Sequence, residues 1–230
     1  MGLKRLATAT GAILVPAILA AQMSNTPPDT LPGRATAALA ASLDAARQHQ
    51  RHVWRDTPPW ADAGKVNAYI EIPRGDRQKF ELDMKANARR LDRMIPEDVG
   101  GYPVNYGFVP QTVSYDGDPF DALVLGPPLD GGTIVTGVIV GLMQMEDEKG
   151  LDSKVVLSPA GNDGRPRYML TADDRMRIGT YFRTYKRHEP GGYSQVGNWG
   201  NADHGRAFVG MTHAFFRQCR ERRGSCRISP

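Results

Sequence analysis

The sequence predicts an α+β fold: a small closed antiparallel β-barrel with flanking α-helices, in one domain. Three observations lead there. Short alternating segments follow one another from Val66 to Pro159. Glycine and proline turns separate them, and helical spacing appears only before and after this series. Many short strands punctuated in this way suit a barrel, and their order suits an OB-like core of five strands.

The 230-residue chain places Lys4 and Arg5 ahead of the apolar run LATATGAILVPAILAA, Leu6 to Ala21. A basic start, a short apolar stretch and a small-residue exit form the pattern of a cleavable secretory signal over residues 1–21. The expected destination is the periplasm or the medium. The run is short for a membrane span and is broken by Gly11 and Pro16, with an uncleaved anchor as the alternative. Residues 22–65 read as a linker and an N-terminal helical extension. QMSNTPPDTLPG lacks periodicity, whereas Leu39, Leu43 and Ala46 stand at helical spacing in the alanine-rich segment after it. The prolines of RDTPPWADAGK then end the helix.

The barrel domain with its helices is expected over residues 66–222. In NAYIEIP, Ile70 and Ile72 face one way, and Tyr69 and Glu71 the other. In KFELDM, Phe80 and Leu82 oppose Lys79, Glu81 and Asp83. YGFVPQTVSY, DALVLGP, the long GTIVTGVIVGLMQME and SKVVLSP continue the series, and helices are expected over roughly 171–186 and 202–222. An arginine-rich tail, residues 223–230, follows. Cys219 and Cys226, the two cysteines of the chain, enclose Gly224 and read as a local disulfide in an oxidising compartment.

A net charge of +4 suits anionic partners in general without choosing among them. The informative charge is negative and local. DGDPFDALVLG crowds Asp116, Asp118 and Asp121 at the mouth of an apolar strand. A plain turn would use the same residue types. An EF-hand loop is excluded, because its sixth and twelfth positions hold Asp121 and Pro127. A second cluster, MEDEKGLDSK, carries Asp147 and Asp152 with Lys154 close behind. If both loops open on one side of the barrel, their carboxylates repel one another until a cation intervenes. Carboxylates without His or Cys form the donor set of Mg²⁺ or Mn²⁺.

Lys79, Arg93, Tyr102, Tyr106, Tyr185 and Lys186 are spread along the segments that would enclose such a pocket. Singly, each has an ordinary explanation: a solvent-facing lysine, an Arg93 paired with Asp92 or Glu97, core tyrosines. Together with the carboxylates they describe a site for a highly charged phosphate compound.

At this point the chain resembles the family I soluble inorganic pyrophosphatases, over about residues 52–186. The family signature stands as DGDPFDALVLG. YIEIPRG, KFELD, LDR, YPVNYGFVPQT, GLMQMEDEKGLDSKVV and YFRTYK fall around it in the family's order, and HVWRD resembles a segment of plant-type members. The resemblance implies Mg²⁺-dependent hydrolysis of inorganic pyrophosphate to two orthophosphates by a metal-activated water, with Asp118 as general base. It implies Asp116, Asp121, Asp147 and Asp152 as metal ligands, with several Mg²⁺ per site and Mn²⁺ or Zn²⁺ as substitutes. It also implies that Lys79, Arg93, Tyr106, Tyr185 and Lys186 bind substrate, supported by Glu71, Glu81, Lys154 and, at the pocket edge, Tyr102. A homo-oligomer is implied too. The stretch MIPEDVGG is one residue longer than usual, and RHEPGGYSQ lacks a lysine that many members carry.

Two further readings belong to other classes. One is a catalytically inactive relative acting as a binding protein. The other is an OB-like nucleic-acid-binding barrel, against which stand the aspartates interleaved with the tyrosines, since they would repel a phosphate backbone. No nucleic acid is therefore expected as partner, and no stable membrane span once the signal is removed.

Overall fold

A computed structural model describes residues 36–39, 42 and 51–221. The signal run, Leu43, Ala46 and Cys226 lie outside the described residues, whereas Cys219 is disulfide-bonded. Residues 36–39 and 42 are helical and exposed. No helix among the described residues is long and apolar enough to cross a membrane.

One compact unit begins at Arg51, ahead of the first strand. Its opening segment is anchored by α1 (Val53–Asp56), which His52 caps by accepting from Trp54 N and Arg55 N. The His52 Nε2–H meets Met84 O at 2.8 Å, and Trp54 Nε1 donates to Thr112 O at 2.8 Å. Trp54 and Phe216 pack edge to face at 4.9 Å between ring centroids. The segment 51–65, expected to belong to the extension, therefore packs on the barrel.

The strands are β1 (Val66–Ile72), β2 (Gln78–Asp83), β3 (Ala88–Met94), β4 (Asn105–Phe108), β5 (Asp121–Val124), β6 (Ile134–Asp147), β7 (Gly150–Leu151), β8 (Lys154–Pro159) and β9 (Ser194–Gly200). Strands β1, β4, β5, β8 and β6 pair in that order, and β6 returns to β1, closing a ring of five. Pairing is antiparallel except between β5 and β8, which run parallel. The reason is topological. The long β6 runs back between them in sequence, so two reversals leave β5 and β8 pointing the same way.

Both faces of these strands are covered, which explains their nearly unbroken apolar runs. Ala122, Val124, Val155 and Leu157 share a cluster with Val209 of helix α3 (Ala202–Glu221). Leu123 and Val156 instead join Ile178 and Phe182 of helix α2 (Ala172–Thr184). Strand β1 shows the same double cover. Tyr69 and Glu71, opposite Ile70 and Ile72, are buried as well, because β2 and the α1 segment lie over that face.

Two strands carry no periodic apolar signal. β3, ARRLDRM, is mostly exposed and pairs with β2 as a separate two-stranded sheet. β9, SQVGNWG, is held through its pairing with β6. The expected strand YGFVPQTVSY ends early, at Phe108, since Pro110 lacks a donor and Gln111 takes a positive φ of 51°. α2 starts with a capping box between Thr171 and Asp174, and its far end delivers Tyr185 and Lys186.

Closure brings β4 against β1 with no room to spare. A Cβ at Gly107 would lie 1.8 Å from the Tyr69 carbonyl oxygen. Gly107→Ala is expected to destabilise the chain by about 3 kcal/mol or more, since the backbone of a closed ring cannot step aside. Urea denaturation checks this, and an unchanged midpoint would contradict the tight closure.

Candidate active site

The site grows from the parallel pairing of β5 and β8. Ala122 stands opposite Val155, so Asp121 and Lys154, one residue earlier in each strand, come together. Lys154 Nζ donates to Asp121 Oδ2 at 2.5 Å and to Asp152 Oδ1 at 2.8 Å. The lysine side chain is 1 % exposed. Burial works against its charge, but the Asp121 and Asp152 carboxylates outweigh that and hold its pKa well above the ordinary lysine range. The Tyr106 hydroxyl donates to the same Asp121 oxygen at 2.6 Å.

The loop before β5 folds tightly over this base. Gly117, at φ 93°, takes a left-handed turn that few side chains would allow. Ser114 N donates to Asp118 O at 2.7 Å, and Asp118 N donates to Asp116 Oδ1 at 3.1 Å. Asp118 is pushed up to about 6, first by burial and then by the neighbouring Asp116 charge. Its nearest cation is the exposed Lys149, with Nζ 3.7 Å from Asp118 Oδ2.

Two more acids carry raised pKa values. Burial lifts Asp152 to about 7 despite Lys154, and the Asp121 charge adds to the rise. Glu71 rises to about 8 through burial, only partly offset by the Leu82 N–H that it accepts at 2.7 Å. Burial also raises Tyr102 and Tyr106, with Asp121 adding to both, so these phenols stay protonated donors. Tyr185, likewise raised by burial, lies among Lys154, Asp152 and Lys186.

The remaining cations come from the periphery, each held by acids. Lys186 donates to Asp147 Oδ2 at 2.7 Å and Glu148 Oε1 at 2.6 Å. Lys79 and Arg93 face each other across β2 and β3 and share Asp92 Oδ2, at 3.0 and 2.7 Å. Lys79 also meets Glu81, and Arg93 also meets Glu189.

Asp116, Asp118, Asp121, Asp152, Lys154, Tyr106, Tyr185 and Glu71 thus gather around one centre. Lys79, Glu81 and Arg93 stand on the separate hairpin, and the Glu81 charge acts on both Glu71 and Asp118. Asp147, expected among the metal ligands, is buried and engaged by Lys186 and by Lys149 N. Tyr102, expected at the pocket edge, is instead 1 % exposed, packed with Tyr106 and Tyr181 at 5.3 and 5.1 Å. Sequence reasoning passed over Glu148 and Glu189. Glu148 could have been found from its place beside Asp147, but nothing local marks Glu189.

The donor chemistry fits a hard divalent cation. All available ligands are oxygens, and three carboxyl groups are raised chiefly by burial, with neighbouring carboxylates adding to the rise, a balance that a bound cation would relieve. Among the described residues no three acidic, His or Cys side chains converge as they stand, with the Lys154 ammonium between Asp121 and Asp152. A cavity of about 530 Å³ lies elsewhere, beyond the end of β5 beside Arg74, Gly126 and Tyr168, and shares no residue with this centre.

The inorganic pyrophosphatase family profile matches residues 68–217. The chain is 39 % identical over 153 residues to the inorganic pyrophosphatase of Brucella melitensis, covering 63 % of this chain and 86 % of that one. It is 36 % identical over 145 residues to that of Saccharolobus solfataricus, covering 60 % and 83 %. The crystal structure of the Thermus thermophilus inorganic pyrophosphatase superposes with a TM-score of 0.67 at 34 % identity, over 73 % of this chain and 99 % of that one. With the barrel strands and most of both long helices inside the matched region, the chain belongs to the inorganic pyrophosphatase family.

Proposed function

We propose that this chain hydrolyses inorganic pyrophosphate to two orthophosphates, with Mg²⁺ as cofactor. The observation that carries this reading is the buried Lys154 ammonium held by Asp121 and Asp152, beside a loop whose Asp118 carboxyl is acted on by the Asp116 and Asp121 charges, with Lys79, Arg93 and Lys186 each held by acids nearby. Asp116, Asp121 and Asp152 would hold the cations, with Asp147 contributing through the β6 end. When bound, they supply charge neutralisation at the phosphoryl oxygens and a more acidic water.

The chain's own groups do the rest. Asp118 lies between two ligand aspartates, and without bound cations burial and the Asp116 charge raise its carboxyl to about 6, so it is a group able to accept a proton from water beside them. As the water oxygen bonds to one phosphorus, its proton passes to Asp118. The bond to the bridging oxygen breaks, and the leaving phosphate keeps that electron pair. Lys79, Arg93, Tyr106, Tyr185 and Lys186 bind phosphate oxygens through this change. Glu71, Glu81, Tyr102 and Lys154 support them. Export is part of the proposal, supported by the basic-apolar pattern of residues 1–21, and fractionation of cells with and without those residues tests it. A homo-oligomer is proposed as well, and light scattering on the purified chain tests that.

Purified protein is expected to release orthophosphate from pyrophosphate with Mg²⁺, and to lose that activity when Ca²⁺ replaces it. Asp118→Asn should lower kcat about a hundred- to ten-thousand-fold with the melting temperature preserved. Wild-type turnover in that variant would remove Asp118 from the general-base role.

The raised acids also set a pH dependence. Glu71, Asp152 and Asp118, at about 8, 7 and 6, bind more protons folded than unfolded. Their effect on stability is therefore absent at low pH and increasingly unfavourable as pH rises from about 4, the ordinary carboxylate range, to about 8. In EDTA the melting temperature should fall over that window, and Mg²⁺ should raise it more at pH 8 than at pH 5. Differential scanning calorimetry reads both. A metal-free melting temperature that climbs between pH 5 and 8 would contradict the cause given.

A further inference from the structure

The turn that follows α2 does more than end a helix. Glu189 N donates to Lys186 O at 2.8 Å, and Gly192 N donates to Glu189 O at 2.9 Å, so the residue sits in a closed turn. Its carboxylate reaches across to Arg93, 96 residues away on β3. Beside it, Arg187 Nη2 and His188 Nε2 bind Asp98 Oδ2 at 2.5 and 2.8 Å. The two-stranded hairpin that carries Lys79 and Arg93 belongs to a sheet of its own. This turn links the Arg93 end of that hairpin to the element that carries Lys186, alongside Ile95, which shares a core cluster with Ile178 and Phe182 of α2.

A guanidinium has five N–H donors in a rigid plane. Asp92 engages Nη1 and Glu189 engages Nη2 of Arg93. Two donors are used and three remain, their directions fixed by carboxylates on two sides. Such an arrangement orients the fork toward a phosphate without filling it. We infer that Glu189 is a positioning residue for substrate, holding Arg93 at a set distance from Lys186 so that both cations meet one diphosphate. This rests on the assignment of Arg93 and Lys186 to phosphate binding.

Because Arg93 would hold phosphate equally in ground and transition states, loss of its orientation should appear in KM and leave kcat alone. Glu189→Gln keeps the shape and removes the charge. It is expected to raise KM for pyrophosphate about tenfold with kcat within about twofold. Binding of methylenediphosphonate, which has no bridging oxygen to cleave, should weaken by the same factor in calorimetry. In an Arg93→Ala background the substitution should change that affinity less than about twofold, since residues acting as one unit are not additive. Glu189→Asp, which keeps the charge, should recover part of the loss.

An unchanged KM and diphosphonate affinity in Glu189→Gln would overturn the inference. So would an equal loss in both backgrounds, which would mark a general effect on the fold. If the wild type binds the diphosphonate but releases no orthophosphate, the hydrolytic function fails while the affinity measurements still decide the role of Glu189.

Discussion

A buried ammonium between two carboxylates, Lys154 with Asp121 and Asp152, is the constraint from which the rest of the site follows. Removing one partner of a buried ion pair costs about 3–5 kcal/mol, a large share of a domain's total stability of about 5–15 kcal/mol. Exposed pairs such as Lys149 with Asp118 are worth about 1 kcal/mol or less. The buried triad therefore fixes the starts of β5 and β8, and with them both acidic loops. Asp118 is left half-buried beside like charge, with only the exposed Lys149 near it. The same geometry that holds Asp121 and Asp152 in place leaves the Asp118 carboxyl raised to about 6, the feature on which its proposed role as general base rests.

Much of this was legible in the residues. DGDPFD showed crowded charge at a strand mouth, and MEDEKGLDSK showed a second cluster at the end of a long strand. The expected route, the long strand lying directly beside the strand of DALVLG, is not the one taken: β8 stands between β6 and β5, and it is β5 and β8 that bring the two loops together. What made them neighbours was less visible: a parallel pair inside an otherwise antiparallel ring, set by the path of β6. Local alternation fixes which face a side chain takes, but it does not fix strand direction.

The illegible parts share one property: their stability comes from elsewhere in the chain. β3 is a charged, exposed strand whose partner β2 defines it. β9 contains two glycines and is ordered by Met143, Met145 and their neighbours in β6. The resemblance places Tyr102 at the pocket edge, yet three rings of α2 and β4 close over it. Glu189 lies in a segment with neither periodicity nor motif, and its partner is 96 residues away. A sequence window contains the cause of a turn, but not of a long-range ion pair.

The pairing of every cation at the site bears on what it can accept. Lys154 is matched by Asp121 and Asp152, Lys186 by Asp147 and Glu148, Lys79 by Glu81 and Asp92, and Arg93 by Asp92 and Glu189. A bare polyanion approaching this array meets neutralised pairs backed by surplus carboxylates, and gains little by displacing them. The same array is favourable to a polyanion that arrives together with divalent cations. The surplus carboxylates would then take the cations, while donors not engaged in these pairs, such as the three remaining N–H groups of Arg93, would meet phosphate oxygens. Net positive charge over the whole chain contributes little here, because the local balance is the reverse of the global one. Under the proposed function, these ion pairs would disfavour a simple phosphate backbone and favour a small phosphate that arrives with divalent cations.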